Sequence, residues 1–114
     1  MKRILVVEDE KSIQNVIKAF LENEKYNVET ADDGFEAINI LQDHNYDLIL
    51  LDLMLPKIDG YAVCEMIRKK SNVPIIILTA LTDEESQIKG FNKLADDYIT
   101  KPFSMPVVLK HIEA

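Results

Sequence analysis

The sequence is poor in the residues that build staples and soft-metal sites. It has 114 residues and one cysteine, Cys64, so an internal disulfide is excluded. A lone cysteine among the apolar positions Val63, Met66 and Ile67 reads as a core residue, since a reactive thiol would want basic neighbours. The two histidines, His44 and His111, lie far apart and have no partners at ligand spacing, which argues against zinc. No apolar run reaches membrane-spanning length. The start, Lys2-Arg3-Ile4-Leu5-Val6-Val7, is too short for a signal peptide and is ended by Glu8-Asp9-Glu10. A cytoplasmic protein with no membrane partner is expected. Basic residues are also in deficit: 13 Lys and Arg against 20 Asp and Glu give a net charge of −7. That balance argues against these residues themselves gripping nucleic acid. There is no internal repeat, linker or low-complexity stretch, and the length suits one domain with a real core.

What is present is alternation. Ile4–Val7, Leu48–Leu51 and Ile75–Leu78 are short continuous apolar runs, and Asn27–Thr30 is a weaker one. Continuous apolar character predicts strands buried on both faces, as in parallel sheets. Between them lie segments of helical period: Ile13, Val16, Ile17, Phe20 and Leu21; then Phe35, Ala37, Ile38 and Leu41; then Tyr61, Val63, Cys64 and Ile67. Ile88, Phe91 and Ala95 follow a capping box, Thr82 to Glu85. A short fifth strand is expected around Asp97-Tyr98-Ile99. Ser104 and Pro106 suit the first turn of a last helix. That helix reaches Ala114 after about two and a half turns, which predicts further protein downstream. Five β-α units in sequence predict one parallel sheet with helices on both faces and right-handed crossovers.

In such a sheet, ligands sit outside the carboxyl ends of the strands. The residues expected just past those ends are Glu8 and Asp9, then Asp52, then Thr79, then Lys101. Each has a plain reading. Glu8, Asp9 or Glu10 could merely cap a helix, Thr79 could be a satisfied strand-end hydroxyl, and Lys101 could be a surface residue beside Pro102. Asp52 is harder to dismiss, because it sits inside the apolar stretch Leu48 to Leu55, where a charge needs compensation. Three crowded carboxylates call for a cation, and hard oxygen donors suit magnesium. A lysine and a hydroxyl beside them suit phosphate oxygens, and a carboxylate there can attack phosphorus to give an acyl phosphate.

With these residues located, the chain closely resembles the receiver domains of two-component response regulators. The matching text is Ile4 to Glu10, Asp47 to Pro56, Asp59-Gly60, Pro74 to Ala80 and Ala95 to Phe103. It spans essentially the whole chain in order, and Ala95 to Phe103 looks most like the winged-helix transcription-factor subgroup. The resemblance implies a flavodoxin-like fold with strand order 2-1-3-4-5 and five helices, and a DNA-binding domain beyond Ala114. It implies that Asp52 accepts a phosphoryl group from a sensor histidine kinase. Asp9, Asp52 and the backbone carbonyl of Met54 would ligate magnesium, with Glu8 acting through a water. Thr79 and Lys101 would bind phosphoryl oxygens, and Tyr98 would be the switch aromatic. It also implies a cis Lys101–Pro102 bond, and a switch in the face formed by the fourth helix, fifth strand and fifth helix.

The chain departs from that subgroup in three ways. Leu94 stands where glycine is usual at a helix end. The subgroup dimerises through charged pairs on the switch face; Asp96 and Asp97 match its acids, but Gln87, Val107 and His111 replace an Arg, a Glu and an Arg. Met54 and Leu81 are apolar where side chains can overhang the phosphoryl group, which implies slowed self-dephosphorylation. An aspartate-nucleophile phosphatase would carry a second acid at Met54, and a receiver that has lost phosphorylation would lack one of the site residues. A stand-alone receiver acting by docking is the alternative to a transcription factor.

Overall fold

The computed structural model describes residues 2–52, 60–79, 96–100 and 103–113. Five parallel strands form one sheet in the order β2-β1-β3-β4-β5, with β1 at Arg3–Val7, β2 at Asn27–Ala31, β3 at Leu48–Asp52, β4 at Ile75–Thr79 and β5 at Asp97–Thr100. The described helices are α1 (Lys11–Asn23), α2 (Gly34–Asp43), α3 (Gly60–Arg68) and a C-terminal helix (Met105–Glu113). The helix expected after Thr82 lies outside the described residues, as do Leu94 and the Lys101–Pro102 bond. The expected class and strand order are met.

The period of two along each strand sorts the core into two layers. Leu5, Val7, Ile49, Leu51, Ile75 and Ile77 face Ala37 of α2 and Val63, Cys64 and Ile67 of α3. Ile4, Val6, Leu48, Leu50, Ile76, Leu78 and Ile99 face Ile17 and Leu21 of α1 and Val108 of the C-terminal helix. The strands read as unbroken apolar runs because both layers are occupied. Cys64 is fully buried, and that burial pushes its thiol up to about 11, which keeps the thiolate scarce at neutral pH.

Two apolar stripes are rotated from their expected positions. Val16 is 58% exposed and Phe35 is 52% exposed. The inner face of α1 runs through Gln14, Ile17 and Leu21, a spacing of three and then four residues that stacks them on one side of a helix. On α2 the covered positions are Gly34 and Ala37, with Ile40 and Leu41 packed against the core.

Polar groups tie the strand origins together. The Arg3 guanidinium pairs with Glu29 at 2.7 Å and lies 4.8 Å from the centroid of the Tyr46 ring. The Tyr46 hydroxyl donates to the other Glu29 oxygen at 2.6 Å. That bond, followed by the Arg3 contact, holds the Glu29 carboxyl below its ordinary range. At the other edge, Asp96 accepts from the Ile75 N–H at 2.8 Å and from Arg68 at 2.9 Å. Arg68 also reaches the Val73 carbonyl at 2.6 Å, so one side chain fixes the α3–β4 connection to the start of β5.

α1 ends in a double bond that reverses the chain. The Tyr26 N–H donates to the Leu21 carbonyl and the Lys25 N–H to the Glu22 carbonyl, each at 3.1 Å. This pattern needs a left-handed residue between helix and strand. Lys25 takes it, with φ at 75°. A side chain there costs about 1–2 kcal/mol, while glycine loses about 0.5–1 kcal/mol more chain entropy on folding. Lys25→Gly is therefore expected to stabilise the fold by about 0.5–1 kcal/mol. Urea titration measures this, and an unchanged or lower midpoint would contradict the strain at Lys25.

Candidate functional site

Parallel pairing brings all five carboxyl ends to one edge, and the register decides which residues meet there. Val7 lies opposite Leu51, so one further step brings Glu8 level with Asp52. Asp52 lies opposite Leu78, and Thr79 opposite Thr100. The sequence suggested that Asp52 and Thr79 lie just past their strands. They are instead the last residues of β3 and β4. The ladder uses only backbone N–H and C=O groups, so a polar side chain does not end it.

Glu8, Asp9 and Asp52 each offer a carboxylate oxygen, and these atoms lie within 4.8 Å of one another. Glu8 is 0% and Asp52 2% exposed, whereas Asp9 is at the surface. The plain reading of these acids as helix caps is not what holds them. Glu10 occupies the cap position of α1, yet its side chain makes no capping bond. The Glu8 carboxylate instead accepts from the Glu10 N–H at 3.2 Å.

The predicted site residues are placed unevenly. Glu8, Asp9 and Asp52 converge. Thr79 ends the strand next to Asp52, and Tyr98 lies on β5 opposite Ile77, 36% exposed. Lys101 and Met54 lie outside the described residues, as do Gln87 and Leu81. On β5, Asp97 pairs with His111 of the C-terminal helix, and just before it Asp96 pairs with Arg68. Both acids expected at a dimer contact are thus engaged within the chain. Val107 is 44% exposed on the C-terminal helix.

Sequence reasoning missed the support beneath Glu8. Gln14 is only 3% exposed. Its amide nitrogen donates to the Glu8 carbonyl and to Asp32 Oδ1, each at 2.9 Å. Lys11 Nζ also reaches Asp32 Oδ1, at 2.7 Å. Two signals could have found this. Gln14 falls on the helix face of Ile17 and Leu21, and Asp32 directly follows β2, at the same edge as the other acids.

Known proteins are similar to this chain over nearly its whole length. The family described as the response regulator receiver domain matches residues 4–113. The regulatory protein VanRB of Enterococcus faecalis is 44% identical, over 98% of this chain and 51% of VanRB. The transcriptional regulatory protein ResD of Bacillus subtilis is 47% identical, over 98% of this chain and 47% of ResD. The chain therefore spans about half the length of these relatives. Among solved structures, the response regulator TrrA of Thermotoga maritima in complex with Mg(2+)-BeF has a TM-score of 0.89 at 38% identity, covering 99% of this chain and 97% of that one.

Hydrogen bonding to Gln14, then to Lys11, holds the Asp32 carboxyl below its ordinary value. A carboxyl whose folded pKa is depressed adds stability above its unfolded pKa, near 3.9. That stability is lost as pH falls through the lower folded value. The side chain is 44% exposed, so solvent screening keeps the contribution small. Carbon-detected NMR of the Asp32 carboxyl is expected to give a midpoint below that of an unpaired aspartate, moving upward in Gln14→Leu. A midpoint unaffected by that change would dissociate Asp32 from Gln14.

Proposed function

Since the chain belongs to the response regulator receiver domain family, we propose that it is switched by phosphorylation of Asp52 in a magnesium-dependent reaction. One observation carries this reading: Asp52 is buried at the end of β3 with carboxylate oxygens of Glu8 and Asp9 within 4.8 Å. The donor set fits the ion. It is all oxygen, without nitrogen or sulfur, which favours magnesium over zinc or copper. Asp9, Asp52 and the Met54 carbonyl would hold magnesium directly, and Glu8 through a water. When bound, it neutralises charge on the acids and on an incoming phosphoryl group.

The chain's own residues divide the remaining work. A carboxylate oxygen of Asp52 attacks phosphorus of a sensor kinase's phosphohistidine. The new O–P bond forms as the P–N bond breaks, and the imidazole leaves with that electron pair. Lys101 and Thr79 take phosphoryl oxygens, so positioning and charge supply most of the catalysis. The added negative charge draws Thr79 inward and lets Tyr98, now partly exposed, follow. Slow hydrolysis of the acyl phosphate resets the site, and the chain is a signalling module rather than a turnover enzyme. A phosphatase would need a second acid where Met54 stands.

The relatives named as regulatory proteins support a transcriptional output. On this reading a DNA-binding domain follows Ala114 in a cytoplasmic regulator of about twice this length. A homodimer through the switch face would have to draw Asp96 and Asp97 away from Arg68 and His111. Their engagement within the chain favours a weaker dimer than fully charged pairs would give.

Acetyl phosphate with magnesium is expected to add one phosphoryl group by intact mass, and Asp52→Asn to abolish it. An equal adduct on both proteins, or none on either, would refute the assignment. The apolar side chain at Met54 is expected to hinder attack by water, so Met54→Asn should shorten the acyl-phosphate half-life severalfold. An unchanged decay would leave Met54 without a part in the lifetime.

A further inference from the structure

We infer that Gln14 is a positioning residue for the acid cluster, acting by clamping the backbone on both sides of Asp9; this rests on reading Glu8, Asp9 and Asp52 as the magnesium site. β1 ends at Val7. The Glu8 N–H still reaches the Ala31 carbonyl at 3.1 Å, in step with the β1–β2 ladder. The Glu8 carbonyl has left the sheet, and the Gln14 amide takes it at 2.9 Å. Four residues before Gln14, the Glu10 carbonyl accepts from the Gln14 backbone N–H at 2.9 Å. One residue thus grips the carbonyl before Asp9 and the carbonyl after it. The intervening Glu10 N–H is held by the Glu8 carboxylate at 3.2 Å. Asp9 is left with little freedom except in its side chain.

Gln14 suits this work because the groups around its amide nitrogen are acceptors, the Glu8 carbonyl and Asp32 Oδ1 at 2.9 Å and the Ala31 carbonyl at 3.5 Å, so the –NH2 group faces them and both its hydrogens are used. Asp32 is the counterweight. It accepts the second hydrogen at 2.9 Å and is itself held by Lys11 at 2.7 Å. Three carboxylates in one place repel, and an unanchored loop would relieve that by swinging Asp9 away from Glu8 and Asp52. The anchor is then worth most when the ion is absent, since it keeps the acids gathered before binding. Preorganisation of this kind raises affinity by lowering the cost of ordering ligands. Partners that hold metal ligands typically change affinity about 10–100-fold when removed.

The test is a titration of the full chain with magnesium chloride alone, followed by amide NMR shifts at a temperature where every variant is folded. Gln14→Leu keeps similar bulk and the backbone N–H but removes both side-chain donors, and its magnesium dissociation constant is expected to rise about tenfold. The double variant Lys11→Ala with Asp32→Ala removes the counterweight without changing net charge, and should weaken binding severalfold. Tyr46→Phe, which loses a hydrogen bond near the other end of β3, should bind as wild type does, although it lowers stability. Wild-type affinity in Gln14→Leu overturns the proposal, as does equal weakening in Tyr46→Phe, which would make the effect one of stability. If Gln14→Leu does not fold, wild-type affinity in the double variant overturns it instead. Failure of the wild-type chain to bind magnesium would sink the metal-site reading itself, and this inference with it.

Discussion

The pairing of β1 with β3 is the constraint on which the rest depends. It matches Val7 with Leu51 and thereby sets the buried acids Glu8 and Asp52 beside each other. Charged groups removed from water cost several kcal/mol each unless partners compensate. Every other position in β3 is apolar and buried, so the sheet fixes the carboxylates by surrounding them with side chains that cannot yield. A slip of one residue would send the whole apolar set of a strand to the opposite layer. The two-layer core therefore guards the register, and the register guards the site.

The two ends of the sheet treat charge in opposite ways. Toward the strand origins, acids meet bases: Glu29 has Arg3, Asp96 has Arg68, and Asp97 has His111. At the carboxyl edge Asp32 still has Lys11, but Glu8, Asp9 and Asp52 meet one another. Among the described residues, no buried side-chain polar atom lacks a hydrogen-bond partner, so the crowding of Glu8, Asp9 and Asp52 is not a lapse in packing. It is confined to the edge where an open parallel sheet offers its ligand crevice. Gln14 and Lys11 reach that edge from α1 through Asp32, and so steady the cluster from its flank.

Much of this was legible in the sequence. Strands buried on both faces announce themselves as short apolar runs, and their spacing by helical segments indicated the class. The acids stand out because they directly succeed those runs, at the edge where a parallel sheet binds its ligands. The strand order and the individual roles rested on resemblance to a family, because period and spacing do not say which strand lies next to which. The misjudged positions have one physical source. The stripe on α1 was drawn through Ile13, Val16, Ile17, Phe20 and Leu21, yet Val16 faces water and Gln14 faces inward. A buried amide is invisible to hydropathy when its partners are a carbonyl and a carboxylate brought in by β1 and β2. Asp32 was passed over because β2 is the weakest strand in the pattern, with Glu29 at its middle and Thr30 near its end. Ending β3 at Leu51 was a similar error, since it let side-chain polarity stand in for backbone pairing.

An open sheet also keeps two borders. Among the described residues, β2 and β5 each leave one row of N–H and C=O groups without a neighbouring strand. Such rows are templates on which further chains can add, ending in aggregates. Here β5 has four residues and opens on Asp97, while β2 carries Glu29 near its middle. Short length and negative charge blunt both borders. A core made mostly of isoleucine, leucine and valine is thereby kept from recruiting copies of itself.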